Sequence, residues 1–392
     1  MSTDLLRKLL DPLEEELSQA LELRERLHEI PEPSHEEHAT AGLVAEALGI
    51  GSVESVARTG LLARVGTPEE AVAVRAELDA LPIEEKTGAS FAAANGFMHA
   101  CGHDVHMAAL VALFRAAGRI EGSLTRSLNA LFQPSEEVYP SGADLVVREG
   151  VLAEQTGAVV AAHVHPDVPW GAVSIEPGPV NASSDNLRIT VEGSGGHGAY
   201  PHRAHDPILA LSHSIVALQS LVSRRLNPMH AAVFSVGWVR SGSAENVIPD
   251  AAEAGGTLRA LDPADRQPLR KMAREIVENT ARAHGCSARV EVTEGEPAMV
   301  NDPDLADNAR SLLPEAGFEP APAMRSCGSD DFGFYGQTAP TLMLFVGLEG
   351  APYTPNVPLH HPRFLPAGEA VGAVARAQAV AFAAAATSLV TL

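Results

Sequence analysis

The 392-residue chain is poor in the features that build covalent or membrane-anchored proteins. Cysteine occurs three times, at Cys101, Cys286 and Cys327. The odd number and wide spacing exclude a disulfide scaffold and predict a reducing, cytoplasmic location. Lysine is confined to Lys8, Lys86 and Lys271, and together with the alanine richness this reads as compositional bias. Basic side chains number 28 against 50 acidic ones, a formal charge of −22. That deficit argues against a nucleic-acid partner and against docking on anionic membranes, both of which need a basic face. Long apolar runs are lacking too. The longest late run, Ala379–Ala386, is far too short to span a bilayer, and Met1–Leu10 is polar and amphipathic rather than a signal peptide.

Hydrophobic residues at 45% and charged residues at 20% allow a sizeable core, and the length suits two or three domains. Leucines at helical spacing predict a helix over Asp4–Glu29, with Pro12 as a possible break, and a second helix runs over about His35–Leu48. Gly60–Val65, Ala71–Glu77, Ser127–Gln133 and Gly157–His163 read as strands, and Asp104–Gly118 and Gly142–Glu149 as helices. The alternation predicts an α/β domain with a mixed, mostly parallel sheet sandwiched by helices. The middle has a different rhythm. Strand Asp185–Glu192, helix Asp206–Arg225, strands Ala231–Arg240 and Ala252–Ala260, helix Pro263–His284 and strand Ala288–Thr293 give the β-α-β-β-α-β order of a ferredoxin-like α+β unit. Helix Pro303–Ala316, strand Thr341–Val346 and a helix from about Ala367 resume the first rhythm. The expectation is a discontinuous domain, 1–181 plus 297–392, interrupted by an inserted one, 182–296.

The densest chemistry lies in His99-Ala-Cys101-Gly-His103-Asp104-Val-His106, where a thiol and an imidazole flank a glycine. Those groups are ordinary ligands for a metal such as zinc, although a buried thiol near surface histidines would read the same. Glu136 and Glu137 follow a strand in FQPSEE, either as a solvated acidic loop or as one metal ligand beside one general base. His163 and Asp79 also follow apolar strands, where open α/β sheets place their sites. His360 and His361 form a further pair of candidates. In the insertion, GSGGHGAYPH around His197 lacks phosphate-loop spacing, and Asn246 and Arg259 could grip a carboxylate.

RAELDALP, MHACGHDVH, FQPSEE, AHVHP, GGHGAYPH, NVIPD, GGTLR and LHHPRF stand in one order from about Leu27 to Phe364. In this the chain resembles the M20 metallopeptidase family, in its amidohydrolase branch, subfamily D, which includes hippurate hydrolases, N-acyl and N-acetyl amino acid deacylases and auxin-conjugate hydrolases. The resemblance implies a zinc-peptidase-like catalytic domain with an inserted lid that pairs two subunits as a homodimer or a higher oligomer. It implies two divalent metal ions, zinc or manganese with cobalt or nickel as alternatives, on Cys101, His103, Glu137, His163 and His360, with the thiolate bridging. It makes Glu136 the general base and acid, Asp79 the orienter of a metal-site histidine and His197 the oxyanion stabiliser, from its own subunit or a partner. Asn246 and Arg259 would hold the substrate carboxylate or carbonyl.

Several positions depart from the family's wording. Glu77 stands where Asp is frequent, Leu78 where Met is, Ser194 where Lys is, and Asp330 where Glu is. The expected activity is hydrolysis of an N-acyl amino acid or short peptide, with a dipeptidase or carboxypeptidase on the same scaffold as the alternative. A non-catalytic metal-binding protein is disfavoured because both glutamates and every candidate ligand are present. A redox role for Cys101 ranks last because no resolving cysteine lies near it in sequence.

Overall fold

A computed structural model describes residues 1–51, 53–67, 70–152, 156–352 and 354–388. They form two compact units. One comprises Met1–Gly178, Val300–Met324 and Phe334–Leu392, the other Pro179–Met299 and Arg325–Gly333. The sequence assigns 325–333 to the first domain, but this segment belongs to the second unit. There Arg259 Nη1 donates to the Cys327 carbonyl at 3.1 Å and to Ser329 Oγ at 3.3 Å.

The first unit is built on an eight-stranded mixed sheet. Its central strands Ser127–Gln133, Ala71–Glu77, Thr156–Pro169 and Thr341–Glu349 lie side by side and parallel. Gly60–Val65 and Glu54–Val56 continue it antiparallel at one edge, and Ala172–Ser174 and Glu319–Pro320 complete the other. Ala71–Glu77 and Ser127–Gln133 are buried at every residue, so both faces are covered and alternation is lost. The strand carrying His163 runs to Pro169, beyond its expected end at His163, because Val164 and His165 continue the ladder with Val346 and Gly347.

Helix Ser2–Glu29 is continuous through Pro12. An interior proline costs about 3 kcal/mol. Leu5, Leu6, Leu9 and Leu13 are all buried around it, each contributing about 1.5–3 kcal/mol, so packing against helices His103–Arg119 and Glu369–Ser388 outweighs the break. Helix Glu369–Ser388 is long and apolar enough by composition to cross a membrane, but 89% of that apolar window is buried inside the protein.

The second unit is a four-stranded antiparallel sheet in the spatial order Ala232–Ser241, Ala251–Ala260, Ser183–Glu192, Ser287–Glu294. Helices Pro207–Leu218 and Pro263–Ala283 pack on it around Leu187, Ile189, Leu211, Leu258 and Val277. Each helix starts on an aspartate whose carboxylate accepts first-turn N–H groups, followed by a proline with no N–H to satisfy. The edge strand exposes Val233, Trp238 and Val239, and the first helix exposes Ile208, Leu209 and Val216.

Candidate functional site

Four loops of the first unit converge beyond the carboxyl ends of its parallel strands. Asp79 follows Ala71–Glu77, Glu136 and Glu137 follow Ser127–Gln133, and Cys101 immediately precedes helix His103–Arg119. His360 arrives from a later loop, tied in by its N–H donating to the Ala100 carbonyl at 2.9 Å. Gly102 is the hinge between Cys101 and His103. Its φ is +85°, and a Cβ there would stand 2.6 Å from Val164 Cγ2, so only glycine fits.

One ligand atom each from Cys101, His103 and Glu137 lie within 4.8 Å of one another. Metal bonds of about 2.0–2.3 Å can close that spread with small side-chain rotations. Cys101 Sγ lies 3.6 Å from His163 Nε2. His360 Nε2 lies 3.3 Å from Glu137 Oε1 without forming a hydrogen bond. The structure thus gathers Asp79, Cys101, His103, Glu137, His163 and His360, with Glu136 on the same turn as Glu137.

Hydrogen bonds on the outer side of each imidazole fix its tautomer. His103 Nδ1 donates to the Asp79 backbone carbonyl at 2.9 Å, with the Asp79 carboxylate 3.5 Å away. His163 Nδ1 donates to the Val164 carbonyl at 2.6 Å. Both Nε2 lone pairs therefore face inward, as metal-ligating histidines require. His103 Nε2, Glu137 Oε1 and Asp79 Oδ1 are buried without a hydrogen-bond partner. Leaving such atoms unpaired is costly unless a cation completes them. Electrostatics point the same way. Burial disfavours charge on His103, yet Glu77, Asp79 and Glu137 outweigh it and raise its pKa from 6.5 to about 10. The pocket favours positive charge, whether a proton or a metal ion. His163, by contrast, is held neutral by burial and by His106 and His103 beside it. The donor set of thiol, imidazole and carboxylate therefore fits a divalent metal.

The sequence could not separate His106 from His103. Glu77, His103, His106 and His163 also sit within ligand reach of one another. His106, however, donates from Nδ1 to Glu77 Oε2 at 2.8 Å and accepts the Val164 N–H at Nε2, 3.1 Å. Both nitrogens are committed, so His106 braces the strand beside His163 instead of offering a ligand atom. Glu77, noted in the sequence only as a departure, is its partner and is paired in turn with buried Arg75. Burial opposes the Glu77 charge, but Arg75, His106 and His103 hold its carboxyl well below the ordinary value. His99 is buried, and burial lowers its pKa to about 4. His361 accepts the Arg363 N–H through Nδ1.

Asp79 also braces the turn of Glu137. Besides facing His103, its Oδ2 accepts the Ser34 hydroxyl at 2.7 Å and the Glu137 N–H at 2.9 Å. Opposed by burial, the His103 bond and charge and these two donors keep its carboxyl below the ordinary range.

In the second unit, Gly196–His197 pairs antiparallel with Val247–Ile248, which sets His197 opposite Val247, next to Asn246. The glycines serve this close crossing: a Cβ on Gly195 would stand 2.6 Å from the Ile248 carbonyl oxygen. His197 Nδ1 accepts the Ala199 N–H at 3.1 Å, which leaves Nε2–H as its outward donor. Arg259 lies on the strand Ala251–Ala260 and is partly engaged by the Cys327 carbonyl.

The sequence profile of peptidase family M20/M25/M40 matches residues 73–378. N-acetyl-L-cysteine deacetylase of Bacillus subtilis (strain 168) is 36% identical over 352 residues, 88% of this chain and 83% of the relative. N-acetyldiaminopimelate deacetylase of Bacillus licheniformis is 33% identical over 375 residues, 93% and 98% of the two chains. Among solved structures, a Bacillus subtilis protein described as a dinuclear metal binding peptidase from family M20 superposes with a TM-score of 0.85. It is 29% identical, and the match covers 96% of this chain and 100% of that one. By the span of the profile and the length and identity of these matches, the chain belongs to peptidase family M20/M25/M40, in its amidohydrolase branch, and is a metal-dependent hydrolase.

Proposed function

We propose that the protein hydrolyses the amide bond of N-acyl amino acids, giving a carboxylic acid and a free amino acid. The observation that carries this reading is the buried set of inward-facing, partnerless ligand atoms on His103 and Glu137 beside Cys101, enclosed by carboxylates. The deacetylase relatives support the N-acyl class. Two divalent ions, zinc or manganese with cobalt or nickel as substitutes, would be held by Cys101, His103, Glu137, His163 and His360. When bound, such ions supply Lewis acidity at the scissile carbonyl and lower the pKa of water.

The chain's own residues do the rest. Glu136 takes a proton from the attacking water and returns it to the leaving amine nitrogen as the carbon–nitrogen bond breaks. Asp79 keeps His103 in its inward-facing tautomer. His197 donates Nε2–H to the oxyanion of the tetrahedral carbon. Asn246 and Arg259 hold the substrate's carboxylate. Two copies would pair through the second unit, whose exposed Val216, Trp238 and Val239 offer apolar side chains for burial against another copy. Light scattering tests the pairing.

The decisive experiment is metal analysis of the purified protein, chelation and reconstitution, then a panel of N-acetyl amino acids, N-benzoyl amino acids and unblocked dipeptides. Metal-dependent cleavage of the blocked substrates is expected. A preference for unblocked dipeptides would replace this reading with a dipeptidase or carboxypeptidase, and absence of both metal and hydrolysis would remove it.

A further inference from the structure

The turn that carries Glu136 is braced from the segment joining the first two helices, part of which the sequence reads as the start of the second helix, although that helix begins only at His38. Its side chains turn inward. Ser34 Oγ donates to Asp79 Oδ2 at 2.7 Å. His35 Nε2 lies 3.0 Å from Ser135 Oγ. Glu37 is fully buried, and its carboxylate accepts the Ser135 N–H at 2.7 Å and the Thr59 hydroxyl at 2.6 Å. Ser135 precedes Glu136 with φ of +49°, and His35 has φ of +68°, both in the left-handed region. Non-glycine residues stay there only where their surroundings over-determine the backbone. On the other flank, the Glu137 N–H ends on Asp79 Oδ2 at 2.9 Å. The N–H groups on both sides of Glu136 are thus anchored by buried carboxylates.

We infer that Glu37, assisted by His35, is a positioning residue for Glu136. It locks Ser135 in the conformation that aims the general base, and so it governs kcat without governing substrate affinity or metal loading. The inference rests on Glu136 being the base. Glutamine at position 37 can keep the brace: its carbonyl accepts the Ser135 N–H while its amide donates to Thr59 Oγ1, since a hydroxyl works either way. Alanine cannot.

The test compares Glu37→Ala, Glu37→Gln and His35→Ala with the parent by steady-state kinetics, metal content and hydrogen exchange of the peptide spanning 134–141. Misaiming a catalytic group by about 1 Å costs up to roughly a hundredfold. Glu37→Ala should therefore lose about tenfold or more in kcat, with KM and metal content nearly unchanged and faster exchange over 134–141. Glu37→Gln should stay near the parent. The inference is overturned if Glu37→Ala keeps the parent kcat, if its loss tracks lost metal, if Glu37→Gln is equally impaired, or if exchange does not change. Should Glu37→Ala fail to fold, His35→Ala decides. It removes the Ser135 Oγ contact alone, and an unchanged kcat and exchange pattern would overturn the brace. Should the parent cleave no N-acyl substrate, the functional reading fails while exchange over 134–141 still judges the brace.

Discussion

Replacing Asp79 by Asn changes three interactions and hardly any volume. The carboxylate is fully buried, with Oδ2 accepting two donors and Oδ1 3.5 Å from His103 Nδ1. An Asn oxygen turned toward Ser34 and Glu137 puts its NH2 against the His103 Nδ1–H, so two donors face each other. A hydrogen bond to an ionised acceptor is worth about 1.5–3 kcal/mol and a neutral one about 0.5–1.5, so two bonds together lose about 2 kcal/mol. The backbone carbonyl keeps its bond to His103, but losing the carboxylate beside a metal-ligating histidine typically weakens metal binding about 10–100-fold, or roughly 1.4–2.7 kcal/mol. Metal-stripped Asp79→Asn should thus unfold in urea with about 2 kcal/mol less stability, and competition against a chromophoric chelator should show affinity lowered about 10–100-fold. If affinity stays within about threefold of the parent, the Asp79 carboxylate does not tune His103 as a ligand, and the backbone carbonyl alone sets its tautomer.

Other outcomes can be checked directly. Glu136→Gln should bind metal as the parent does, by atomic absorption, while kcat falls about 10²–10⁴-fold, and a Gln variant with near-parent turnover would remove the general-base role. Gly195→Ala should displace the His197 hairpin, since the new Cβ meets backbone oxygen, and should lower kcat while leaving metal content intact. His28 predicts a pH dependence. Burial disfavours its charge, but Asp104 at 2.8 Å and Glu85 raise its pKa from 6.5 to about 9. The folded value exceeds the unfolded one, so its stabilisation is complete below pH 6.5 and is lost as pH rises through 9. Relative to His28→Gln, the parent's unfolding free energy should fall across that window by up to about 1.4 kcal/mol per pH unit, and parallel urea profiles would contradict it.

The fold was legible where local signals agreed. Helical spacing located the long helices, and continuous apolar runs located the central strands, because both faces of those strands are buried. Pro12 does not break the helix because its cost is local, whereas the leucines that overrule it are seated by helices about a hundred and several hundred residues away. At the site, residue types and motif order pointed to Cys101, His103, Glu137, His163 and His360, but not to their states. Only geometry separates His103, with an open Nε2, from His106, whose two nitrogens are used. Glu37 left no signal, because a buried carboxylate beside an exposed Glu36 looks like the acidic first turn of any helix. The segment 325–333 was misassigned because the bonds from Arg259 that tie it down come from a strand some seventy positions earlier.

The interruption of the first unit also sets a timetable for synthesis. Thr156–Pro169 must wait for Thr341–Glu349 to be made before the two can pair. At about 5–20 residues per second, the intervening stretch takes roughly 9–34 s. Through that interval the nascent sheet presents an apolar edge with unpaired N–H and carbonyl groups, the kind of edge that seeds aggregation. The insertion shortens the search that follows. Its first and last strands pair with Asp185 opposite Glu294, so the chain enters and leaves the second unit at neighbouring points. Once that unit has folded, the loop to be closed shrinks to about a third of its length, saving about 1 kcal/mol of closure entropy. A ribosome that stalls past residue 300 would leave the proposed ligands Cys101, His103, Glu137 and His163 on an unfinished sheet, still without His360.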